Sequence, residues 1–270
     1  MQRPINEIHF FHIPKTAGSS MAGMIRRAYP QEEGIPAHTA RELVALPPEQ
    51  VPNYRCYTGH FFSLLRPLVG RDLPTVTLLR EPFAHTVSLI RHCQRIDPQS
   101  GRLAPTLAKS MHIIWDWFPP ARRYLERLCC PFVMNNFQTR VLGCEIEHPG
   151  TLNADYYGYT YPLLHKGFTA PNEDMETILE RAKSRMKEMV VVGTVERFEE
   201  SVRLIFEHLG VPMPSEMARD NVGKNKPKAI HPRKTVSKAF ARLIDQQTTY
   251  DQILYHYADS LLSKKVNLNI

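Results

Sequence analysis

An α/β fold built on a parallel sheet is what this sequence predicts, and two strand–turn–helix units carry the prediction. In the first, Glu7 to Ile13 (EIHFFHI) is a β-type run of aromatic and branched residues. It is followed at once by Pro14-Lys15-Thr16-Ala17-Gly18-Ser19-Ser20 and by a stretch in which Met21, Met24, Ile25 and Ala28 recur at helical spacing. In the second, Thr75 to Leu79 (TVTLL) is a short run of buried-strand type, Arg80-Glu81-Pro82 breaks it, and Phe83 to Ile96 reads as helix. Strands joined in this way become parallel neighbours through right-handed crossovers, with helices covering both faces of the sheet in a three-layer αβα arrangement.

The remaining elements follow in chain order. Arg55 to Thr58 reads as a strand lying between the two units, and Asp97 to Cys144 is mostly helical in pattern and rich in large apolar residues, Trp115 and Trp117 among them. Between Glu147 and Asn172 periodicity gives way to a loop or insertion punctuated by Gly and Pro, crowded with Tyr156, Tyr157, Tyr159 and Tyr161. Met175, Ile178, Leu179, Ala182, Met186 and Met189 then fall on one helix face. Val190 to Gly193 reads as a buried strand, Phe198, Val202, Ile205 and Leu209 stripe another helix, and a last helix carries Ile253, Leu254, Tyr257 and Leu261. No internal repeat or long linker divides the chain, so residues 1–270 are expected to form a single domain.

Composition narrows the function. The chain is 43% hydrophobic, which excludes a disordered polar tail, and its Gly and Pro lack any fibrous or low-complexity period. The formal charge is +7, and its excess is local. From Arg219 to Arg242 there are eight basic residues and one acid, which leaves 26 basic and 26 acidic residues elsewhere. Such a segment points to an anionic partner: nucleic acid, an acidic membrane, a polyanion or a phosphorylated cofactor. Its only aromatic residue is Phe240, which argues against a base-stacking surface. No apolar run reaches the length of a spanning helix, no signal pattern opens the chain, and the five cysteines show no zinc or redox spacing. A cytoplasmic protein with reduced thiols, no membrane partner and no metal is expected.

The loop after the first strand is the most informative feature. A helix N-terminus offers unpaired N–H groups and the positive end of its dipole. Here Ala17-Gly18 lets the backbone approach an anion, Lys15 supplies a full charge, and Thr16, Ser19 and Ser20 add hydroxyls. The ATP-type pattern G-x-x-x-x-G-K-[ST] is absent, because the Lys precedes the Gly. A polar turn with Ser19 or Ser20 as helix N-cap is the alternative structural reading.

His12-Ile13-Pro14-Lys15-Thr16-Ala17-Gly18-Ser19-Ser20 resembles the 5′-phosphosulfate loop of sulfotransferases that use 3′-phosphoadenosine 5′-phosphosulfate (PAPS), in the branch of the heparan sulfate 2-O-sulfotransferases and their bacterial relatives. The resemblance implies a P-loop nucleotide-binding type of fold. It also implies a second motif, a strand-end Arg with a Ser eight residues later gripping the 3′-phosphate, and Arg80 and Ser88 fit. Phe137-Gln138-Thr139-Arg140, Val192 to Phe198 and Tyr250-Asp251-Gln252-Ile253-Leu254-Tyr255 are further matches of lower specificity. The chain departs from the family at Glu81, where Asp is usual, and at His85, where a second Arg is common.

Sulfuryl transfer to a hydroxyl needs a base for the acceptor's proton and a cation for the leaving phosphate. Lys15 is the candidate cation. His60, in Gly59-His60, matches the Gly-His context of the family's base, and an imidazole titrates in a suitable range. The chain has 12 histidines, most of them expected to be surface or structural; His9, His12, His85 and His92 lie near the same site in sequence, and His12 is an alternative contact to the cofactor loop.

The resemblance favours a carbohydrate hydroxyl as acceptor over a phenol or lipid alcohol, and makes 3′-phosphoadenosine 5′-phosphate the product. It also places a C-terminal loop over the nucleotide, at Asn221 to Lys228, so Lys224 and Lys226 join the candidate cofactor contacts and Lys228 stands beside them. A nucleotide-dependent kinase and a noncatalytic polyanion binder are the competing classes.

Overall fold

Strand β1 (Ile8–Phe11) is buried along its whole length, as its aromatic and branched residues require. It forms the second position of a four-stranded, all-parallel sheet with β2 (Cys56–Gly59), β3 (Thr75–Leu79) and β4 (Val191–Thr194), in the order β2-β1-β3-β4. Ile8 lies opposite Cys56, His9 opposite Thr75 and Val76 opposite Val191. The computed structural model describes residues 6–95, 135–144, 173–214 and 231–268. Trp115, Trp117, the Tyr-rich stretch and the lysines Lys224, Lys226 and Lys228 lie outside them.

The helices among the described residues are α1 (Gly18–Ala28), α2 (Ala40–Ala45), α3 (Leu65–Val69), α4 (Pro82–Arg95), α5 (Phe137–Gly143), α6 (Met175–Glu188), α7 (Phe198–Leu209), α8 (Lys238–Gln247) and α9 (Thr249–Leu268). They cover both faces of the sheet, because successive strand residues point to opposite sides. Ile8, Phe10, Val76 and Leu78 form one core with Met21, Met24 and Ile25 of α1 and Val202, Ile205 and Leu209 of α7. Phe11, Leu79 and Val192 form the other, with Phe137 and Val141 of α5, Ile178 and Ala182 of α6, and Ile244 of α8. Of the two stripes expected, Ile178, Leu179, Ala182 and Met186 of α6 and Val202, Ile205 and Leu209 of α7 are buried, while Met175, Met189 and Phe198 at their ends are partly buried.

The differences from expectation are local. β1 ends at Phe11 rather than Ile13, because His12 and Ile13 already belong to the turn into α1. The second strand runs one residue later, from Cys56 to Gly59. In α9 the buried positions are Asp251, Leu254, Ala258 and Leu262, whereas Ile253 is 48% exposed. The inward face of that helix thus combines three apolar residues with the buried carboxylate of Asp251, described below. Part of the basic segment is itself helical, as α8, and buries Phe240.

One feature of the topology places the site. The chain leaves β1 for β2 on one side, and passes from β3 to β4 on the other. The strand order therefore reverses between β1 and β3, and the crevice beyond their C-terminal ends is where ligands bind in open parallel sheets. The Lys15 loop and the Arg80 turn both leave from those ends. Among the described residues no helix is long and apolar enough to cross a membrane.

Candidate active site at the sheet's switch point

The loop after β1 has an unusual backbone. Lys15 (φ 70°) and Ala17 (φ 58°) are left-handed, while Thr16 and Gly18 between and after them are not. Alternation of this kind turns successive N–H groups toward one side and makes an anion-binding concavity. Non-glycine residues held left-handed cost on the order of 1–3 kcal/mol each and persist only where the surroundings enforce them. The enforcement is visible: the Thr16 hydroxyl, fully buried, donates to the Ile13 carbonyl at 2.8 Å.

Helix α1 then begins with Ala17 at its N-cap, with no side-chain cap and no acidic residue in its first turn. Ser19 and Ser20 are inside that turn, so neither is the cap; Ser19 is exposed and Ser20 buried. The first-turn N–H groups and the positive end of the dipole are thus left without a carboxylate. Gly18 is required by a close approach, since a Cβ there would fall inside the His12 ring.

Arg80 comes to this loop from the end of β3. Its Nη1 donates to the Lys15 carbonyl at 3.3 Å, while its Nε is buried and has no hydrogen-bond partner. Burial lowers its pKa, against the opposing pull of Glu196 and Glu81. The Arg80 main chain is clamped by the fully buried Gln138 of α5: the Arg80 N–H donates to Oε1 and Nε2 donates to the Arg80 carbonyl, both at 2.9 Å.

The two departures at this turn have physical accounts. Glu81 accepts from the N–H groups of Phe83 (3.1 Å) and Ala84 (2.7 Å), so its longer side chain caps α4. His85 is fully buried and donates from Nε2 to the Pro14 carbonyl at 2.9 Å. Burial, with Arg80 and Lys15 nearby, pushes its pKa down to about 4. The imidazole is therefore a neutral tie between α4 and the loop. Ser88, half-buried, lies three residues on from His85 and so on the same face of α4.

His60 reaches the site from the end of β2. Its backbone N–H donates to the His38 carbonyl at 2.8 Å, and its Nδ1 contacts the His12 carbonyl at 2.9 Å. A carbonyl only accepts, so Nδ1 carries the proton and Nε2 holds the lone pair. The rings of His12 and His60 lie 4.1 Å apart between centroids. Burial lowers the pKa of His60, the His12 carbonyl opposes this, and His38 and Lys15 push it lower. His12 is driven well below the ordinary imidazole value by burial, then by His60, Lys15 and His38. Both rings are neutral near pH 7.

Lys15, Arg80 and His60 thus reach the ends of three adjacent parallel strands, and His12, which sequence offered as an alternative contact, packs between His60 and the Lys15 loop. The sequence assigned no site role to two further contributors. Arg26 fastens β2 to the segment before α2, donating to the Thr58 side chain, to the Thr58 carbonyl (3.0 Å) and to the Ala37 carbonyl (3.2 Å). Gln138 was visible only as one member of a short motif.

A cavity of about 790 Å³ lies elsewhere, at the N-terminal ends of the strands; His9, Thr75, Arg66 and Met189 line it, and none of the candidate residues does. Among the described residues no group of three or more His, Cys, Asp or Glu side chains is placed to hold a metal ion. A scan against protein-family models finds no match, and a search of curated proteins finds none either.

Proposed function

We propose that this chain is a PAPS-dependent O-sulfotransferase of P-loop type, acting on a hydroxyl acceptor for which a carbohydrate is the favoured class. The observation that carries the reading is the convergence of Lys15 and Arg80, joined by the bond from Arg80 to the Lys15 carbonyl, beside a neutral His60 whose Nε2 is the basic nitrogen. A nucleotide with phosphate groups at both ends of its ribose fits these donors. The alternating loop and uncapped α1 suit one phosphate, and the buried, unpartnered Nε of Arg80 awaits an acceptor suited to the other.

In this scheme Lys15 and the N–H groups of residues 16–20 hold the 5′ end, with Ser19 and Ser20 as hydroxyl donors, and Arg80 with Ser88 holds the 3′-phosphate. When bound, PAPS supplies the sulfuryl group, whose sulfur bonds to the acceptor oxygen as its bond to the 5′-phosphate oxygen breaks. His60 Nε2 takes the acceptor's hydroxyl proton. Lys15 offsets the charge left on the phosphate, and His12 holds the base against the loop.

Lys224 and Lys226 are proposed as a cover over the nucleotide. Those lysines lie outside the described residues; Arg233, which follows them in sequence, pairs with Asp245 at 2.7 Å and lies 4.2 Å over the Phe83 ring. The buried thiols of Cys56 and Cys144, both free, suit the cytoplasmic setting this reading assumes.

Calorimetric titration with 3′-phosphoadenosine 5′-phosphate and with ATP tests the proposal. Tight binding of the first and weak binding of the second is expected; the reverse order selects a kinase, and binding of neither removes the nucleotide site.

A further inference from the structure

The turn that carries Arg80 is held from two directions by the last helix. On one side, Asp251 of α9 is buried and its carboxylate accepts from the N–H groups of Gln138 (3.3 Å) and Thr139 (2.7 Å) and from the Thr139 hydroxyl (2.7 Å). It therefore caps the N-terminus of α5. Asn136 returns the favour in kind: its Oδ1 accepts from the N–H groups of Tyr250 (2.8 Å) and Asp251 (3.2 Å) at the start of α9. The two helix ends are locked to each other, and Gln138, seated in that lock, grips both main-chain groups of Arg80.

On the other side, the Tyr255 hydroxyl donates to Glu196 at 2.9 Å, and the same carboxylate accepts from the Glu81 N–H at 3.1 Å. Further along the helix, Asp259 and Ser263 accept from Arg197, the residue after Glu196. Asp251, Tyr255, Asp259 and Ser263 are spaced four apart, so they form one polar ridge on α9.

We infer that α9 is a strut whose polar ridge positions the Arg80 turn for the nucleotide's 3′-phosphate, with Gln138 and Tyr255 as positioning residues. The inference rests on the nucleotide reading proposed above. A half-buried guanidinium with a buried, unpaired Nε has little freedom to find its ligand unless its backbone is fixed, and the two clamps fix the residues on either side of the Arg80–Glu81 peptide.

The experiment compares binding of 3′-phosphoadenosine 5′-phosphate with that of adenosine 5′-phosphate, which lacks only the 3′-phosphate. It uses the unaltered chain, Gln138→Met, Tyr255→Phe, Arg80→Ala and the Gln138→Met/Arg80→Ala double variant. Gln138→Met keeps volume and removes both bonds to Arg80; Tyr255→Phe removes one hydroxyl from a half-buried position and tests the second clamp without burdening folding. The unaltered chain is expected to prefer the 3′-phosphorylated ligand at least tenfold. Gln138→Met is expected to erase most of that preference and Tyr255→Phe to cut it severalfold, with adenosine 5′-phosphate affinity unchanged. In the Arg80→Ala background Gln138→Met adds no further loss. Full preference in Gln138→Met, or in Tyr255→Phe should the first variant not fold, overturns the strut. Equal loss for both ligands does so too, since that is what general loosening of the fold produces. Absence of any preference in the unaltered chain instead overturns the nucleotide reading beneath it.

Discussion

His60 donates its Nδ1–H to the carbonyl of His12 across 2.9 Å, and that bond decides which nitrogen of the ring is basic. The donor nitrogen is tied to main chain, so proton traffic belongs to Nε2. Removing the ring in His60→Ala is expected to leave nucleotide binding within about twofold while lowering turnover roughly a hundredfold or more, the range of a lost general base. Binding is read by calorimetry and turnover by release of 3′-phosphoadenosine 5′-phosphate. Near-normal turnover rejects His60 as the base.

The same environment fixes a pH dependence. Burial lowers the pKa of His60 below 6.5, and His38 and Lys15 reinforce this. A base works in its neutral form, so the acidic limb of kcat/KM is expected below pH 6.5, with full activity retained at neutrality. Lys15→Ala removes one of the charges holding that limb down and should move it upward. The same substitution removes the cation of the proposed phosphate loop, and a loss of roughly ten- to a hundredfold in both nucleotide affinity and rate is expected. Unchanged affinity rejects the loop as the phosphate site.

Gly18 and His12 occupy the same space to within a methyl group, because a Cβ on Gly18 would overlap the imidazole. Gly18→Ala must displace that ring or shift the start of α1. Overpacking of this kind costs about 1–3 kcal/mol. The predicted result is a lower melting temperature together with lost turnover. Unaltered stability would mean that the ring has room to move, and would remove His12 as the link between base and loop.

The parts of the molecule legible in its sequence are those with local causes. β3 runs from Thr75 to Leu79 as its apolar run predicts, and α6 buries Ile178, Leu179, Ala182 and Met186 as their spacing demands. The Lys15 loop was legible because turn, charge and helix start are contiguous. Its left-handed Lys15 and Ala17 were not, since neither residue type announces that conformation. Nor was the role of Gln138, whose partner Arg80 lies 58 residues away, or of Asp251, whose partners lie 112 and 113 residues away. Ile253, one of the apolar residues that mark the last helix in the sequence, is exposed, while Asp251, Leu254, Ala258 and Leu262 face inward and the Asp251 carboxylate meets the end of α5.

The buried histidines predict a loss of stability in acid. Burial pushes the pKa of His9 down to about 3 and of His85 to about 4, from 6.5. The unfolded chain thus binds protons that the fold refuses, and stability present above pH 6.5 is lost as pH falls toward 4. For His85 the shift corresponds to about 3 kcal/mol. In urea titrations at pH 7 and pH 5, the midpoint is expected to be lower at pH 5, and His85→Gln should flatten the difference. A midpoint independent of pH would contradict the neutral burial of these rings.

Asp251 titrates in the opposite sense. Burial raises its pKa from 3.8 to about 6, although the bonds from Thr139 and Gln138 pull it back. The fold prefers the protonated form, so this group's contribution is greatest below pH 3.8 and is lost as pH rises through 6. Asp251→Asn abolishes the titration but also, with its one oxygen kept for Thr139, sets the amide N–H₂ against the N–H of Gln138, a fixed cost of about 1–3 kcal/mol. The stability advantage of the unaltered chain over Asp251→Asn should therefore be largest near pH 4 and shrink by about 3 kcal/mol toward pH 7. An advantage that grows with pH would show that the carboxylate is stabilised as an anion by the helix end it caps. The three donors, rather than burial, would then govern its charge.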